Sequence, residues 1–172
     1  TYKGTGGVPL DAAKRLAYAV KYREINFLLS DQVSDDSRVL DHRTPRERVQ
    51  RVAPWLTLDG NAYPAVVDGR AQWILDGYTT TDHYPNSQKD SLRSMTSDAL
   101  SPNTTYATLP TDEINYMRNA VKAVVDAYDG SVKLYAWDTD PIEKAWASVF
   151  PNTVIPKDQI PAALKAHMRY PE

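Results

Sequence analysis

The sequence predicts an α+β fold, in which helices pack on an antiparallel sheet and a long polar arm remains irregular. Two segments with alternating apolar residues each surround an Asp-Gly pair, which favours a tight hairpin turn because both positions tolerate a positive φ. Other segments have apolar residues at helical spacing, preceded by N-capping sequences. Helices and strands do not alternate along the chain, and this order argues for α+β rather than α/β.

The first two predicted helices lie in the N-terminal third of the chain. Apolar residues recur at helical spacing over residues 11–29, and Asp11 is a suitable N-cap. Thr44 opens a capping box, Thr-Pro-Arg-Glu, with proline at the first helical position. Pro54 limits this second helix to about two or three turns, because proline interrupts the helical hydrogen bonds.

The predicted sheet is built from two hairpins, at residues 63–75 and 121–137. The first turns at Asp68-Gly69. The second turns at Asp129-Gly130, which we expect to form a type I′ turn with a positive φ at both residues. The two hairpins therefore predict antiparallel strand pairing.

Residues 79–112 form the predicted irregular arm. They are rich in Thr, Ser, Asn, Asp and Pro and poor in large apolar residues, and we expect a short helix around Asp90–Met95. Ordered loops of this length lie against another surface more often than not. We therefore expect an extended arm that packs on the sheet or on a neighbouring subunit.

Two more helices are predicted near the C-terminus. Asp140 begins a capping box, and residues 142–150 carry an apolar stripe that we expect to be buried against the sheet. A last short helix begins near Pro161. His167 shares the apolar side of that helix with Leu164, which predicts a hydrogen-bonded core histidine rather than a ligand.

Composition limits the classes of protein. The chain has 172 residues, enough for a single α+β domain at 1–172, and its 42% hydrophobic content excludes a disordered chain. The net charge of −2 gives no sign of nucleic-acid binding. The lack of cysteine excludes disulfides, cysteine nucleophiles and thiolate metal sites. No apolar run can span a bilayer, and a start at Thr1 suggests an excised piece of a longer protein.

Seven strings of residues, spread over nearly the whole chain, resemble one family in the same order. The strings are Arg43-Thr-Pro-Arg-Glu-Arg-Val, Ala53-Pro-Trp-Leu, Tyr63-Pro-Ala-Val-Val-Asp-Gly-Arg, Trp73-Ile-Leu-Asp-Gly-Tyr-Thr-Thr-Thr, Tyr84-Pro-Asn-Ser-Gln, Asn115-Tyr-Met-Arg-Asn-Ala-Val-Lys-Ala-Val-Val-Asp-Ala-Tyr-Asp-Gly and His167-Met-Arg-Tyr-Pro-Glu. Together they resemble uncharacterised protein family 0182, a family of bacterial integral membrane proteins of unassigned function.

The resemblance implies a place in the cell. The family has several membrane-spanning helices ahead of a large extracytoplasmic region, so the chain is expected to be an extracytoplasmic slice of a multi-pass protein of the cell membrane. Its expected partner is the membrane-spanning part of its own parent chain, with a homo-oligomer as a further option. The family supplies no catalytic residues that can be carried over.

The root of the polar arm carries the candidate binding residues, which are Tyr78, Asp82, His83 and Tyr84. Asp82-His83 would serve acid–base chemistry only if the fold brought another carboxylate near, such as Asp76. A surface or hydrogen-bonded histidine is the simpler interpretation.

Two further patterns suggest ligands but have simpler explanations. Trp73, with Tyr78 and Tyr84, could line a glycan-type groove, although packing of the hairpin on helices also explains Trp73. Asp138, Asp140 and Glu143 could suggest a calcium loop, but they lack its central glycine and distant glutamate. A helix-capping box explains Asp140 and Glu143 without a metal. The sequence therefore predicts no metal site and no cofactor.

Two classes of function remain open. The first is a non-catalytic extracytoplasmic binding or assembly domain of a multi-pass bacterial membrane protein. The second is a cell-envelope hydrolase or transferase that uses Asp82, His83 and a carboxylate from the hairpins, or else a glycan-binding module. Convergence of these groups in a cleft would favour the enzyme, whereas scattered, solvated positions would favour the binding domain.

Overall fold

The computed structural model describes residues 4, 6–34, 36–92 and 113–170. Helices and mainly antiparallel strands make up the chain, and the predicted α+β class is confirmed. The chain divides into two compact units, Thr1–Arg43 and Thr44–Glu172.

The first unit is a pair of helices enclosed by two short strands. The strands β1 and β2 pair antiparallel. In chain order the elements are β1 (Val8–Pro9), α1 (Ala12–Tyr22), α2 (Asn26–Leu29) and β2 (Arg38–Val39).

The single helix predicted at 11–29 is wrong, because the helix is interrupted at Arg23. Asp11 caps α1 as predicted, since its carboxylate accepts a hydrogen bond from the Lys14 N–H at 2.8 Å. Arg23 takes a left-handed conformation, with φ 54°, and donates its N–H to the carbonyls of Ala19 and Val20. This is a helix C-cap formed without glycine, and apolar periodicity alone does not reveal it.

The second unit is a sheet with helices on it. The main sheet has the strand order β10–β9–β8–β5–β3, and β4 also pairs with β5; only β10 and β9 run parallel among the described pairs of this sheet. The elements are α3 (Pro45–Val52), β3 (Thr57–Leu58), β4 (Tyr63–Val67), β5 (Arg70–Thr81), β6 (Asp90–Ser91), β7 (Glu113–Ile114), β8 (Tyr116–Asp126), β9 (Val132–Ala136), α4 (Pro141–Val149), β10 (Val154–Ile155), a 3₁₀ turn (Lys157–Gln159) and α5 (Ala162–Lys165).

Hydrophobic clusters cover both faces of the main sheet. Val49 of α3 packs in one cluster with Leu75, whereas Leu164 of α5 belongs to the other cluster with Ile74. The central strand β8 contributes to both clusters and is buried at every position from 120 to 126. This position explains why its sequence is nearly continuously apolar, since a strand covered on both faces has no solvent side.

The two turns that contain the Asp-Gly pairs differ in backbone conformation. Val67 pairs with Arg70, and Asp68 and Gly69 between them have φ values of 50° and 76°. The type I′ turn predicted at Asp129-Gly130 is wrong, because Asp129 does not have a positive φ. The chain instead forms a wider loop between β8 and β9.

The wider loop is organised by Asp126 at the end of β8. The Gly130 N–H donates to the Asp126 carbonyl at 2.9 Å. The Asp126 carboxylate accepts from the N–H groups of Tyr128 and Asp129 at 2.9 and 3.1 Å. Gly130 alone takes the left-handed conformation in this loop, with φ 72°, and its carbonyl accepts a hydrogen bond from Arg48 at 2.8 Å.

The helix α4 begins as predicted, but its apolar stripe is only partly buried, and the prediction is wrong at Val149 and Phe150. Asp140 accepts hydrogen bonds from the N–H groups of Ile142 and Glu143 at 2.7 and 2.8 Å, as a capping residue does. Glu143 is the side chain that the helix buries, whereas Val149 is 63% and Phe150 49% exposed. The helix therefore turns a polar residue inward and leaves part of its apolar stripe open.

The predicted arm begins later than expected. Residues 79–81 continue β5, and Thr79 is fully buried there. Asp90–Ser91, expected to begin a short helix, forms a strand that pairs with Glu113–Ile114. Residues 93–112 of the predicted arm lie outside the described residues.

The C-terminal segment follows the prediction except at His167. Leu164 of α5 is buried, as expected. His167 is exposed, so the predicted core position is wrong. The physical reason is that α5 ends at Lys165, so that residues beyond it no longer follow the helical spacing.

Candidate functional site

Asp82 and His83 lie together at the end of β5. The His83 Nδ1 contacts the Asp82 carboxylate, and Lys89 Nζ lies 3.4 Å from Asp82 Oδ2. Loss of solvent contact raises the pKa of Asp82, but its backbone hydrogen bond and the nearby His83 and Lys89 outweigh this and lower the pKa overall. The His83 side chain is 86% exposed, so this pair is a solvated surface contact.

Tyr84 is anchored beside that pair by Asn115. The Asn115 side chain accepts the Tyr84 N–H at 2.9 Å and donates to the Tyr84 carbonyl at 2.8 Å. The Tyr84 ring stacks on Tyr116, with ring centroids 5.4 Å apart and planes 18° apart. Asp82, His83 and Tyr84 therefore share one ordered corner of the second unit.

Tyr78, the fourth predicted residue, belongs to a different environment further back on β5. Its hydroxyl donates to Asp59 Oδ2 at 3.4 Å. Burial raises the pKa of Tyr78 well above its ordinary range, and the negative charges of Asp59 and Asp76 add to this effect. Trp73 packs against the cluster of Leu75, on the opposite face of the strand from Tyr78, so the two rings do not line one groove.

A buried ion pair lies at the centre of the sheet. Asp76 of β5 stands directly opposite Lys122 of β8, and the Lys122 ammonium donates to Asp76 Oδ1. The Lys122 side chain is 0% exposed and that of Asp76 is 6% exposed. The same ammonium donates to the Arg169 carbonyl at 2.7 Å and lies 5.2 Å from the ring centre of Trp137. Two of its three N–H donors thus have hydrogen-bond acceptors, and this helps to offset the cost of burying the charge.

A small polar cleft opens next to this ion pair. Asp76 Oδ1 accepts from both Lys122 and Asn119 Nδ2, the latter at 2.6 Å, which leaves Oδ2 without a donor among the described residues. The cleft has a volume of about 200 Å³. Its lining consists of Asp59, Gly60, Asn61, Ala62, Tyr63, Asp76, Arg169 and Tyr170.

The rim of the cleft is closed on one side by the C-terminal segment. The Arg169 N–H donates to the Tyr63 hydroxyl oxygen at 3.1 Å, and the Arg169 guanidinium lies 4.8 Å from the centre of the Tyr63 ring. Burial raises the pKa of Tyr63, although the hydrogen bond from Arg169 opposes this shift. The cleft therefore combines two carboxylates with a guanidinium and neutral tyrosines.

This arrangement is suited to binding rather than to proton transfer. The Lys122 side chain is 0% exposed and paired with Asp76, so it is not accessible to a reacting group from solvent. Asp76, the carboxylate that an Asp82-His83 hydrolase would need, is paired with Lys122 instead. The cleft is smaller than the 300–1,000 Å³ of most ligand sites and fits one side chain or one small polar molecule.

The acidic residues near α4 have separate partners. Asp138 pairs with Arg118 at 2.7 Å, and Asp140 accepts the Tyr116 hydroxyl as well as capping the helix. Burial, together with the charge of Asp140, raises the pKa of Glu143. Within the part of the chain that the structure describes, no group of three or more His, Cys, Asp or Glu side chains is placed to hold a metal ion.

A second feature of this unit is an exposed aromatic stack, here called the aromatic face. Trp146 of α4 stacks on Trp55, with centroids 5.6 Å and planes 9° apart, and on Phe150, at 5.9 Å and 8°. Trp55 also packs against the buried cluster of the sheet. The aromatic face, made of Trp55, Trp146, Val149 and Phe150, is thus fixed to the core at one end and open at the other.

Sequence reasoning named Asp76 but missed Lys122 and Arg169. Lys122 had a detectable signal, because a lysine amid consecutive apolar strand residues must find a partner when the strand is buried. Arg169 had no such signal, since its contacts with Tyr63 join residues 106 positions apart.

No helix among the described residues is both long and apolar enough to cross a bilayer.

Comparison with known proteins gives a family but no activity. The model of the Uncharacterised protein family (UPF0182) matches residues 1–172. The chain is 57% identical to a UPF0182 protein of Nocardioides sp. and 56% identical to one of Nocardia farcinica, over 100% of this chain and 17% of each relative. A relative from Corynebacterium glutamicum is 53% identical over 18% of its length. The chain thus spans less than a fifth of these relatives, and no solved structure matches it significantly.

Proposed function

We propose that this chain, which belongs to the Uncharacterised protein family (UPF0182), is a non-catalytic extracytoplasmic binding or assembly domain of a multi-pass bacterial membrane protein. More than four-fifths of each similar relative lies outside the matched region, so a parent protein of that size has ample chain to act as a partner. The proposed partner is the membrane-spanning part of the same polypeptide.

The aromatic face is the observation that carries this proposal. Phe150 and Val149 expose large apolar surfaces at the end of a helix whose sequence predicts burial. A contiguous exposed apolar patch commonly marks an interaction site. Because Trp55 is anchored in the core, the rings are held in place before a partner arrives, which reduces the entropy lost on docking.

Geometry favours a protein partner over a glycan at this face. A sugar stacks on an open ring face, whereas Trp55, Trp146 and Phe150 already turn their faces toward one another. Since Trp146 lies between the other two rings and Trp55 packs against the core, only the outer face of Phe150 is left for a sugar to stack on. The rest of the surface consists of ring edges and aliphatic groups, which suit the apolar side chains of a protein. The solvated Asp82-His83 pair likewise supports binding more than the hydrolase or transferase alternative.

Thiol labelling of the parent protein tests the assembly role. The chain has no cysteine of its own, so Phe150→Cys and the control Val66→Cys, at an exposed position of β4, place one thiol each in this region. We expect both thiols to react rapidly with a maleimide in the isolated chain. In the parent protein the thiol at position 150 should react at least about tenfold more slowly than in the isolated chain, while the thiol at position 66 should react as rapidly as before. Equal rates at position 150 in the two proteins would contradict the proposal.

The same control variant tests the extracytoplasmic location. A membrane-impermeant maleimide should label the thiol at position 66 in intact cells. Labelling that requires lysis of the cells would place the domain on the cytoplasmic side and contradict this part of the proposal.

A second role, binding of a small cationic group, is favoured by one observation at the cleft. Asp76 lines the cleft and has one carboxylate oxygen without a donor among the described residues, and Asp59 lies beside it. An ammonium or guanidinium group would complement these oxygens. Titration with agmatine, followed by NMR, should shift the signals of cleft residues, and Asp59→Asn should weaken the response. Unchanged spectra at millimolar agmatine would exclude this role.

A further inference from the structure

The polar cleft of the second unit is lined by charges of both signs that do not pair with each other. Asp59 and Asp76 supply carboxylates to its lining, and Arg169 supplies a guanidinium. Within the described part of the chain, Asp76 pairs with Lys122, whereas the Arg169 guanidinium contacts the Tyr63 ring rather than a carboxylate. A molecule that carries both charges could therefore contact an acidic and a basic group in the same cleft.

The acidic part of the cleft contains a buried carboxylate that is only half used. The Asp76 side chain is 6% exposed. Its Oδ1 accepts from both Lys122 and Asn119, while its Oδ2 has no donor among the described residues. An oxygen that is desolvated without a donor costs free energy, and an ammonium group that donates to Oδ2 would offset this cost. Asp59 differs, because each of its two oxygens already accepts a hydrogen bond.

The basic part of the cleft is the Arg169 side chain, whose backbone is held on both sides. The Arg169 N–H donates to the Tyr63 hydroxyl oxygen at 3.1 Å, and the Arg169 carbonyl accepts from the buried Lys122 ammonium at 2.7 Å. The guanidinium lies 4.8 Å from the centre of the Tyr63 ring. Contact with a ring face uses no hydrogen-bond acceptor, so the N–H groups of the guanidinium remain able to bind a carboxylate in the bidentate geometry.

Tyr63 adds a neutral donor beside the guanidinium. Its hydroxyl oxygen accepts from Arg169, and its proton has no acceptor among the described residues. Burial raises the pKa of Tyr63, so the hydroxyl stays protonated at neutral pH and does not repel an anion. A carboxylate on Arg169 can therefore also accept from the Tyr63 hydroxyl.

We propose that the cleft binds a free amino acid, with the ammonium group on Asp76 and the carboxylate on Arg169. The inference rests on the proposed cation-binding role of the cleft and adds the second charge, which sets the class of ligand. The volume of about 200 Å³ admits one small molecule. A single side chain of a partner protein brings at most one of the two charges, whereas a free amino acid brings both.

Two related probes separate this inference from simple attraction of cations. Agmatine is arginine without its carboxylate, so it carries two positive charges at neutral pH, whereas arginine has a net charge of one. A cleft that attracts cations only through its carboxylates should bind agmatine more tightly. If Arg169 binds a carboxylate, arginine should bind more tightly instead. Arg169 is exposed, and solvent screens its charge, so the expected gain is modest, at least about threefold in affinity.

NMR titration of the 172-residue chain measures the two affinities. The Kd of arginine should be at least about threefold lower than that of agmatine. Argininamide, which has the bulk of arginine and a neutral amide in place of the carboxylate, should bind no better than agmatine. Arg169→Gln should abolish the preference for arginine, because it removes the guanidinium and retains both backbone hydrogen bonds of this residue. The control Arg51→Gln, the same change at an exposed position of α3, should retain the preference.

The comparison of probes in the unmodified chain does not depend on the folding of any variant. Arginine that binds no better than agmatine would overturn the inference and leave the cation-binding role in place. Unchanged spectra with both probes at millimolar concentration would overturn the inference together with that role. A preference for arginine that survives Arg169→Gln would place the carboxylate elsewhere and would likewise overturn it. None of these results bears on the aromatic face, which the thiol at position 150 of the parent protein tests separately.

Discussion

Replacing Lys122 by Met tests whether the buried ion pair holds the second unit together. Methionine has a similar length and volume, so the change removes a charge without opening a large cavity. It leaves the Asp76 carboxylate, 6% exposed, without its cation, and it removes the donor to the Arg169 carbonyl. The perturbation is therefore electrostatic rather than steric.

The expected loss of unfolding free energy follows from the burial of both groups. Removing one partner of a buried ion pair costs about 3–5 kcal/mol, because the remaining charge stays desolvated. With a urea m-value of about 2 kcal/mol per M, the unfolding midpoint should fall by about 1.5–2.5 M. Since domains are stable by only about 5–15 kcal/mol, the effect would be large. The double variant Lys122→Met with Asp76→Leu should lose less, as no buried charge remains unpaired.

Urea unfolding, followed by circular dichroism, measures these differences. The control is Lys133→Met, the same chemical change at an exposed position of β9. It should alter stability by no more than about 0.5 kcal/mol. A cost below about 1 kcal/mol for Lys122→Met, or a double variant less stable than the single one, would show that the ion pair does not behave as a buried charge pair.

Three further substitutions test local features of the second unit. Gly130→Ala should lower the melting temperature more than Gly69→Ala in calorimetry: both residues have a positive φ, but a Cβ at 130 would also meet the guanidinium that bonds its carbonyl. Glu143→Gln should raise the unfolding free energy at pH 7, measured by urea titration. Burial raises the pKa of Glu143 in the folded state, so the protonated side chain contributes stability below its unfolded pKa, and this contribution is lost as the pH rises through the folded-state pKa. The advantage of glutamine should therefore vanish in acid. Asp140→Ala should cost about 0.5–2 kcal/mol through loss of the helix cap, and Asp138→Ala, at an exposed pair, less than about 1 kcal/mol.

Local signals in the sequence predicted the elements that depend on neighbouring residues. The cap at Thr44 accepts the Glu47 N–H, and the cap at Asp140 accepts two N–H groups, both at the helix starts that the sequence predicts. The alternation that predicts a strand at 121–125 matches the observed pairing of Val121 with Ala136. Such features need only contacts within a few residues, so the printed sequence contains the information.

Features that depend on distant partners could not be read in this way. The apolar neighbours of Lys122 indicate that its ammonium needs a partner, but only the register of the sheet identifies that partner as Asp76, 46 residues away. The prediction that the apolar sides of α1 and α4 are buried was wrong at several positions for another reason. Apolar periodicity shows which side of a helix avoids water, but it does not identify the molecule that covers that side.

The aromatic face is expected to bind its partner through apolar area and ring packing, which salt does not screen. The protection of a thiol at position 150 in the parent protein should therefore persist when the salt concentration rises from about 50 to about 300 mM. Protection that disappears over this range would show that charged groups hold the contact, and it would contradict the assignment of the aromatic rings and Val149 as the binding surface.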